Sequence, residues 1–130
     1  MFEYVGFEFD MLRAAMQALA APAPVQLAHY TDLVVKADEL ALDFDDALLL
    51  VRQSRAPEID SRLAAALAAL DELLARMIGP TRPDLWAENA LRSRPEWAKV
   101  RSLASAALAA FGWPVEPPPP NPHVYVRGSS

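Results

Sequence analysis

Residues 59–80 read IDSRLAAALAALDELLARMIGP, and this stretch decides the class of fold. Apolar residues recur in it every three or four positions, which places them on one face of an α-helix. They are Ile59, Leu63, Leu67, Leu70, Leu74 and Met77. Pro57 suits the first turn of such a helix, and Gly79 followed by Pro80 ends it. The sequence therefore predicts an amphipathic helix that begins near Pro57 and ends just before Gly79.

The same spacing is present upstream in residues 25–54, where no glycine or proline interrupts it. The apolar stripe consists of Tyr30, Val34, Ala37, Ala41, Phe44, Leu48 and Val51. We expect one long helix here, with a break near Leu42 as the alternative, because Asp43 is a suitable N-cap. A short turn at Ser54–Ala56 would make this helix and the one at 59–77 the antiparallel centre of a bundle.

Prolines and N-cap residues mark the ends of the other helices. The stripe of Phe9, Leu12, Met16 and Leu19 predicts a helix over residues 7–20, which the prolines at 22 and 24 stop. A shorter helix over residues 84–91 is predicted because Asp84 is a suitable N-cap.

The last predicted helix and the tail meet at Gly112. The sequence Ser93-Arg-Pro-Glu96 has the pattern of a capping box, with Ser93 as N-cap, and Gly112 followed by proline ends the helix. Prolines then dominate, so we divide the chain into a helical domain, residues 1–112, and a proline-rich tail, residues 113–130. Residues 123–126 of the tail are strand-like, and pairing with residues 2–5 is one alternative. The predicted fold is all-α, a compact bundle of four to five helices with a proline-rich C-terminal strap.

Composition excludes several classes of function. The 130 residues carry a net charge of −5 and no cysteine, which leaves no electrostatic basis for non-specific nucleic-acid binding and no thiolate metal site. No apolar stretch approaches the length of a membrane span, and no basic and apolar leader opens the chain. We therefore expect a cytoplasmic protein that binds neither nucleic acid nor membrane.

Acidic residues are concentrated in one helix. Residues 1–50 hold nine acids and two bases, whereas residues 51–130 hold eight acids and ten bases. The densest group of acids is Asp38, Glu39, Asp43, Asp45 and Asp46. Clustered carboxylates can hold a divalent cation, but the glycine and final glutamate of an EF-hand loop are missing. We therefore interpret the group as a face for a basic partner, or as a solvated face, rather than as a metal site.

A second polar group lies near the C-terminal helices. Arg92 and Arg94 stand close in sequence to Trp86 and Trp97. Arginine and tryptophan are enriched in the residues that dominate protein–protein interfaces, so this group is a second candidate for partner binding. The alternative is that the arginines form ion pairs while the tryptophans pack in the core.

No catalytic motif, phosphate-binding loop or cofactor fingerprint is present, so we assign no catalytic residue and no cofactor. The sequence favours a non-catalytic domain that binds another protein, or a second copy of itself. Small acidic adaptors, immunity proteins and antitoxins share this size and charge, which is an analogy of general character alone. The alternative function is a divalent-metal-dependent enzyme or ligand-binding bundle that uses the carboxylates of residues 38–46.

Overall fold

The computed structural model describes residues 4–30, 35–78 and 83–118, and every regular element among them is helical. The prediction of an all-α fold is confirmed. The six α-helices are α1 (Phe7–Ala20), α2 (Ala23–His29), α3 (Lys36–Ser54), α4 (Ser61–Met77), α5 (Glu88–Ser93) and α6 (Pro95–Phe111). Short 3₁₀ turns at Ala56–Glu58 and Pro83–Trp86 precede α4 and α5.

The predicted single helix over residues 25–54 is wrong. The chain forms α2 and α3 instead, and the interruption falls between His29 and Lys36 rather than near Leu42. Contacts with the neighbouring helix α1 explain the position of α2. The buried amide of Gln26 donates hydrogen bonds to the carbonyl oxygens of Ala18 and Leu19, at 3.2 and 3.0 Å, which are near the end of α1. These bonds hold α2 against α1, so its direction is set by tertiary contacts and not by its own periodicity.

Two helix starts also differ from the prediction. Helix α4 begins at Ser61 because the carboxylate of Asp60 accepts a hydrogen bond from the Leu63 backbone N–H, at 2.9 Å, as an N-cap does. Helix α6 begins at Pro95 without a side-chain cap. The Ser93 hydroxyl donates instead to the carbonyl of Asn89 within α5, at 2.9 Å, so the predicted capping box is not formed.

The ends of α1 and α6 agree with the sequence. Helix α1 runs from Phe7 to Ala20, as its apolar stripe predicts. Helix α6 ends at Gly112, whose φ of 77° is the left-handed conformation that glycine adopts most easily.

The centre of the bundle is formed by α1 and α6. Helix α1 packs along α3 on one side and along α6 on another, and α4 packs along α6. Helix α1 can occupy the centre because all of residues 15–20, several of them alanines, are buried and allow close approach. Helices α3 and α4 have few close backbone contacts with each other, so the predicted antiparallel centre made of these two helices is wrong.

Arg55 fixes the connection between α3 and α4 to the rest of the bundle. Its guanidinium forms ion pairs with Glu58 and, at 3.0 Å, with Glu8 of α1. It also lies over the ring of Phe9, 4.6 Å from the ring centroid. The hydrogen bonds to Glu58 and Glu8 raise the pKa of Arg55. The hydrogen bond from Arg55 in turn lowers the pKa of Glu58.

The first residues of the tail lie on the bundle. Trp113 stacks on Phe111 with ring centroids 4.3 Å apart, and the Gln17 amide donates to the Pro114 carbonyl at 3.3 Å. The remainder of the strap, including the strand-like residues 123–126, lies outside the described residues, and the division at Gly112 stays a prediction. No helix of the described part is long and apolar enough to cross a membrane.

Candidate interaction groove

A groove runs between α3 and α4 because each of these helices packs mainly against a different central helix. Its cavity has a volume of about 640 Å³. Phe44 of α3 and Leu74 of α4 are both buried and form its floor. Residues 38–45 of α3 line the groove together with residues 71–78, at and just beyond the end of α4. Arg52, near the end of α3, instead lines a second cavity with Ala64 and Leu67, toward the start of α4. The two helices therefore run antiparallel. We call this feature the α3–α4 groove.

Large apolar side chains stand at the edges of the groove. Leu42 on the α3 side is 50% exposed, and Ile78 just after α4 is 65% exposed. Leu49 is also exposed and lies seven residues beyond Leu42, which places it on the same side of α3. Exposed apolar side chains are common singly, but a group of them beside an apolar cavity is typical of a binding surface.

Three carboxylates line the same groove. Asp71 on the α4 side forms an ion pair with Arg52 of α3 at 3.5 Å, and exposed pairs of this kind contribute little to stability. Asp38 and Asp45 on the α3 side have no hydrogen-bond or ion-pair partner among the residues that the structure describes. The α3 edge of the groove therefore carries two uncompensated negative charges.

The other members of the predicted acidic group point elsewhere. Asp43 accepts a hydrogen bond from the Tyr30 hydroxyl at 2.5 Å, which connects α3 to the end of α2. Asp46 is exposed outside the groove lining, and Glu39 is half-buried. Within residues 4–30, 35–78 and 83–118, no group of three or more His, Asp or Glu side chains is placed to hold a metal ion.

His29 lies beside this connection. Its ring contacts Tyr30 edge to face, with centroids 4.7 Å apart. Burial lowers the pKa of His29, and the nearby negative charge of Asp43 opposes this shift only in part. The neutral imidazole is therefore favoured in the folded protein.

The tryptophans of the second predicted group have different environments. Trp86 is half-buried and lines the groove, and its indole N–H donates to the Met77 carbonyl at 2.9 Å. Trp97 contacts Trp86 edge to face at 5.5 Å but is completely buried, and its indole N–H donates to the Leu85 carbonyl at 2.6 Å. Trp97 is therefore part of the core, and Trp86 alone of the pair contributes to the groove surface.

The arginines of that group do not line the groove. Arg94 forms an ion pair with Asp84 at 2.9 Å and lies 3.8 Å from Glu96. Arg92 is exposed in the last turn of α5. The fold thus separates the predicted basic–aromatic surface, and it brings Trp86 together with Asp38 and Asp45, which the sequence placed in a different group.

Sequence reasoning missed the apolar edge of the groove and Asp71. One signal was present: Leu42 and Leu49 lie outside the apolar stripe of α3, so a helix packed on one face leaves them exposed. No comparable signal marks Ile78 or Asp71, because both join the groove only through the packing of α4.

Comparison with protein-family models, with curated proteins and with solved structures found no match. The chemistry of the groove is therefore the basis for a functional assignment. It offers an apolar floor, exposed aliphatic edges, one tryptophan and an acidic side, which together suit an apolar surface flanked by positive charge.

Proposed function

We propose that this protein is a non-catalytic interaction domain that binds another protein through the α3–α4 groove. The observation that carries the proposal is the coincidence of an apolar cavity with the two uncompensated carboxylates of Asp38 and Asp45 on one edge. A partner that inserts apolar side chains and presents Lys or Arg to that edge is complementary in both shape and charge.

The lining of the groove resembles the energetic centre of protein interfaces. Tryptophan is among the residues that dominate binding energy, and Trp86 lines the same groove as the aliphatic Leu42 and Ile78. Burial of these half-exposed side chains by a partner removes apolar surface from water, at about 25 cal/mol per Å². The exposed Asp38 and Asp45 then form the polar rim, which sets specificity and the rate of association more than affinity.

The overall character of the chain supports a small acidic adaptor, an immunity protein or an antitoxin. These classes act by covering a partner's surface, and a net charge of −5 suits a basic partner. The cytoplasm is the compartment we propose, since the chain has no cysteine and needs no oxidising environment. Among the residues that the structure describes, the carboxylates of residues 38–46 form no group placed to hold a metal ion, so these residues give no support to the metal-dependent alternative.

Site-specific photo-cross-linking in the cells that naturally produce the protein tests this proposal. p-Benzoylphenylalanine is placed at Leu42, at Ile78 or, as a control, at Phe7, which is about as exposed as Ile78 and lies outside the groove lining. We expect positions 42 and 78 to cross-link to the same protein, and position 7 to give no such adduct. Adding Asp45→Arg should lower the yield of the adduct severalfold, whereas the neighbouring substitution Asp46→Arg should preserve it.

Three outcomes would contradict the proposal. The first is no adduct from either groove position. The second is the same set of adducts from all three positions, which would indicate non-specific contact. The third is an adduct of twice the mass of the chain, which would show that a second copy occupies the groove.

A further inference from the structure

We infer that the occupant of the α3–α4 groove is an amphipathic α-helix of the partner, with two Lys or Arg residues seven positions apart beside its apolar stripe. This inference rests on the proposed function and specifies the chemistry of the partner. It follows from the shape of the groove and from the spacing of its charges.

The shape of the groove fits a helix. The stretch of α3 from Asp38 to Asp45 covers two helical turns, or about 10.5 Å at 1.5 Å per residue. Ala41 and Ala75, one on each wall, are small and leave room for a third helix to approach both backbones. A helix laid in such a groove inserts apolar residues at positions i, i+4 and i+7.

Two other recognition modes fit less well. An added β-strand needs a free strand edge, and the described part of the chain contains no strand. A proline-rich segment docks between several aromatic rings, whereas the surface of this groove is mainly aliphatic, with Trp86 at one end.

The charges along the groove define the flank of the partner helix. Asp38 and Asp45 are seven residues apart and lie on the same edge, both exposed. Two cationic residues seven positions apart on a partner helix that runs alongside α3 have the same separation as Asp38 and Asp45. This holds whether the partner helix is parallel or antiparallel to α3. Asp71 on the opposite wall is paired with Arg52, so the attraction for a basic flank is strongest on the α3 side.

Selection of peptides on the full-length protein tests the inference. The probe is a phage-displayed library of random peptides of about 16 residues, long enough for four helical turns. Each enriched peptide is retested on the Asp45→Arg and Asp46→Arg variants. Both variants carry the same change of charge at adjacent positions of α3, but only Asp45 lines the groove. Circular dichroism measures whether the peptide becomes helical when the protein is added.

The expected peptides share an apolar i, i+4, i+7 pattern with Lys or Arg seven positions apart, and they become helical on binding. At about 0.15 M salt, where the Debye length is about 8 Å, Asp45→Arg should weaken their binding roughly three- to tenfold, and Asp46→Arg should have a much smaller effect. Replacing both cationic residues of a selected peptide with Gln should weaken binding to the wild-type protein by a similar factor.

Each contrary result bears on a defined part of the reasoning. Groove-dependent peptides that are extended, proline-rich or acidic would overturn the helical and basic identity of the occupant. Failure to enrich any peptide that depends on the groove would also overturn it. The cross-linking experiment is independent of both results: a partner cross-linked from positions 42 and 78 preserves the proposed function even when the inference about its helix fails.

Discussion

Leu40 and Leu42 lie two residues apart on α3, and they should respond very differently to replacement by alanine. Leu40 is 1% exposed in the core, whereas Leu42 is 50% exposed at the edge of the α3–α4 groove. The two variants have the same residue change in the same helix. The comparison therefore isolates the contribution of burial to folding stability.

The expected magnitudes follow from the surroundings of each side chain. Leu40→Ala removes three buried carbon groups, at about 0.8 kcal/mol each, and leaves a cavity, for a loss of about 3–4 kcal/mol. Leu42→Ala removes a side chain that is already half in water, and water fills the space. Its loss is about 1 kcal/mol, and the higher helix propensity of alanine reduces it by a few tenths.

Urea denaturation followed by circular dichroism measures both free energies of unfolding. If the two variants lose the same amount, Leu42 packs as a core residue does, and the groove is filled in solution. The same conclusion follows if Leu42→Ala lowers the free energy of unfolding by more than about 2 kcal/mol, whatever the loss for Leu40→Ala. Either result would refute the assignment of Leu42 to a binding edge.

Three further predictions test the structure at other points. Gln26→Ala should lower the free energy of unfolding by about 2–4 kcal/mol, because it removes three hydrogen bonds from a buried amide. A loss below about 1 kcal/mol in urea denaturation would contradict the packing of α2 on α1. Asp60→Ala should cost about 1 kcal/mol through loss of the α4 N-cap, whereas Asp46→Ala, on an exposed mid-helix position, should cost nothing measurable in the same assay. Stability should fall as pH drops below 6.5, because the pKa of His29 is lower in the folded protein and the unfolded chain therefore binds the proton more readily. Urea midpoints at about pH 7.5 and about pH 5.5 should differ less for His29→Gln than for the wild-type protein, and an unchanged difference would show that His29 is not buried as described.

The helical class and several helix boundaries, among them those of α1 and the end of α6, could be predicted because their causes are local. The apolar stripe that ends before Pro22 defines α1, and Gly112 with its left-handed φ ends α6. Both signals act within one or two turns of the chain. They are therefore visible without knowledge of any other helix.

The arrangement of the helices could not be predicted, because it depends on contacts between distant residues. The break before α3 lies within residues 25–54, whose apolar periodicity is continuous in the sequence. The role of Gln26 is visible only in its hydrogen bonds to the carbonyl oxygens of α1. The α4 start was misjudged for a local reason, because Pro57 and Asp60 are both acceptable at a helix start. The carboxylate of Asp60 determined the outcome by capping Leu63.

The candidate site was predicted in part. Asp38, Asp45 and Trp86 were all named from sequence, but as members of two separate surfaces, since nothing local shows that the end of α4 brings them together. Trp97 illustrates the opposite error. Its residue type suggested an interface, while its complete burial and its bond to the Leu85 carbonyl make it a core residue.

The groove lies between α3 and α4 because these two outer helices pack on different central helices. Because α1 and α6 form the centre, α3 packs mainly on α1, and α4 packs mainly on α6. Few close backbone contacts join α3 and α4 to each other. Arg55 anchors the α3–α4 connection to α1, which fixes one end of the pair. Leu42 and Ile78 are therefore exposed at the edges of the groove, while core residues such as Phe44 hold the fold. For this reason we expect substitutions at its edges to change binding far more than folding.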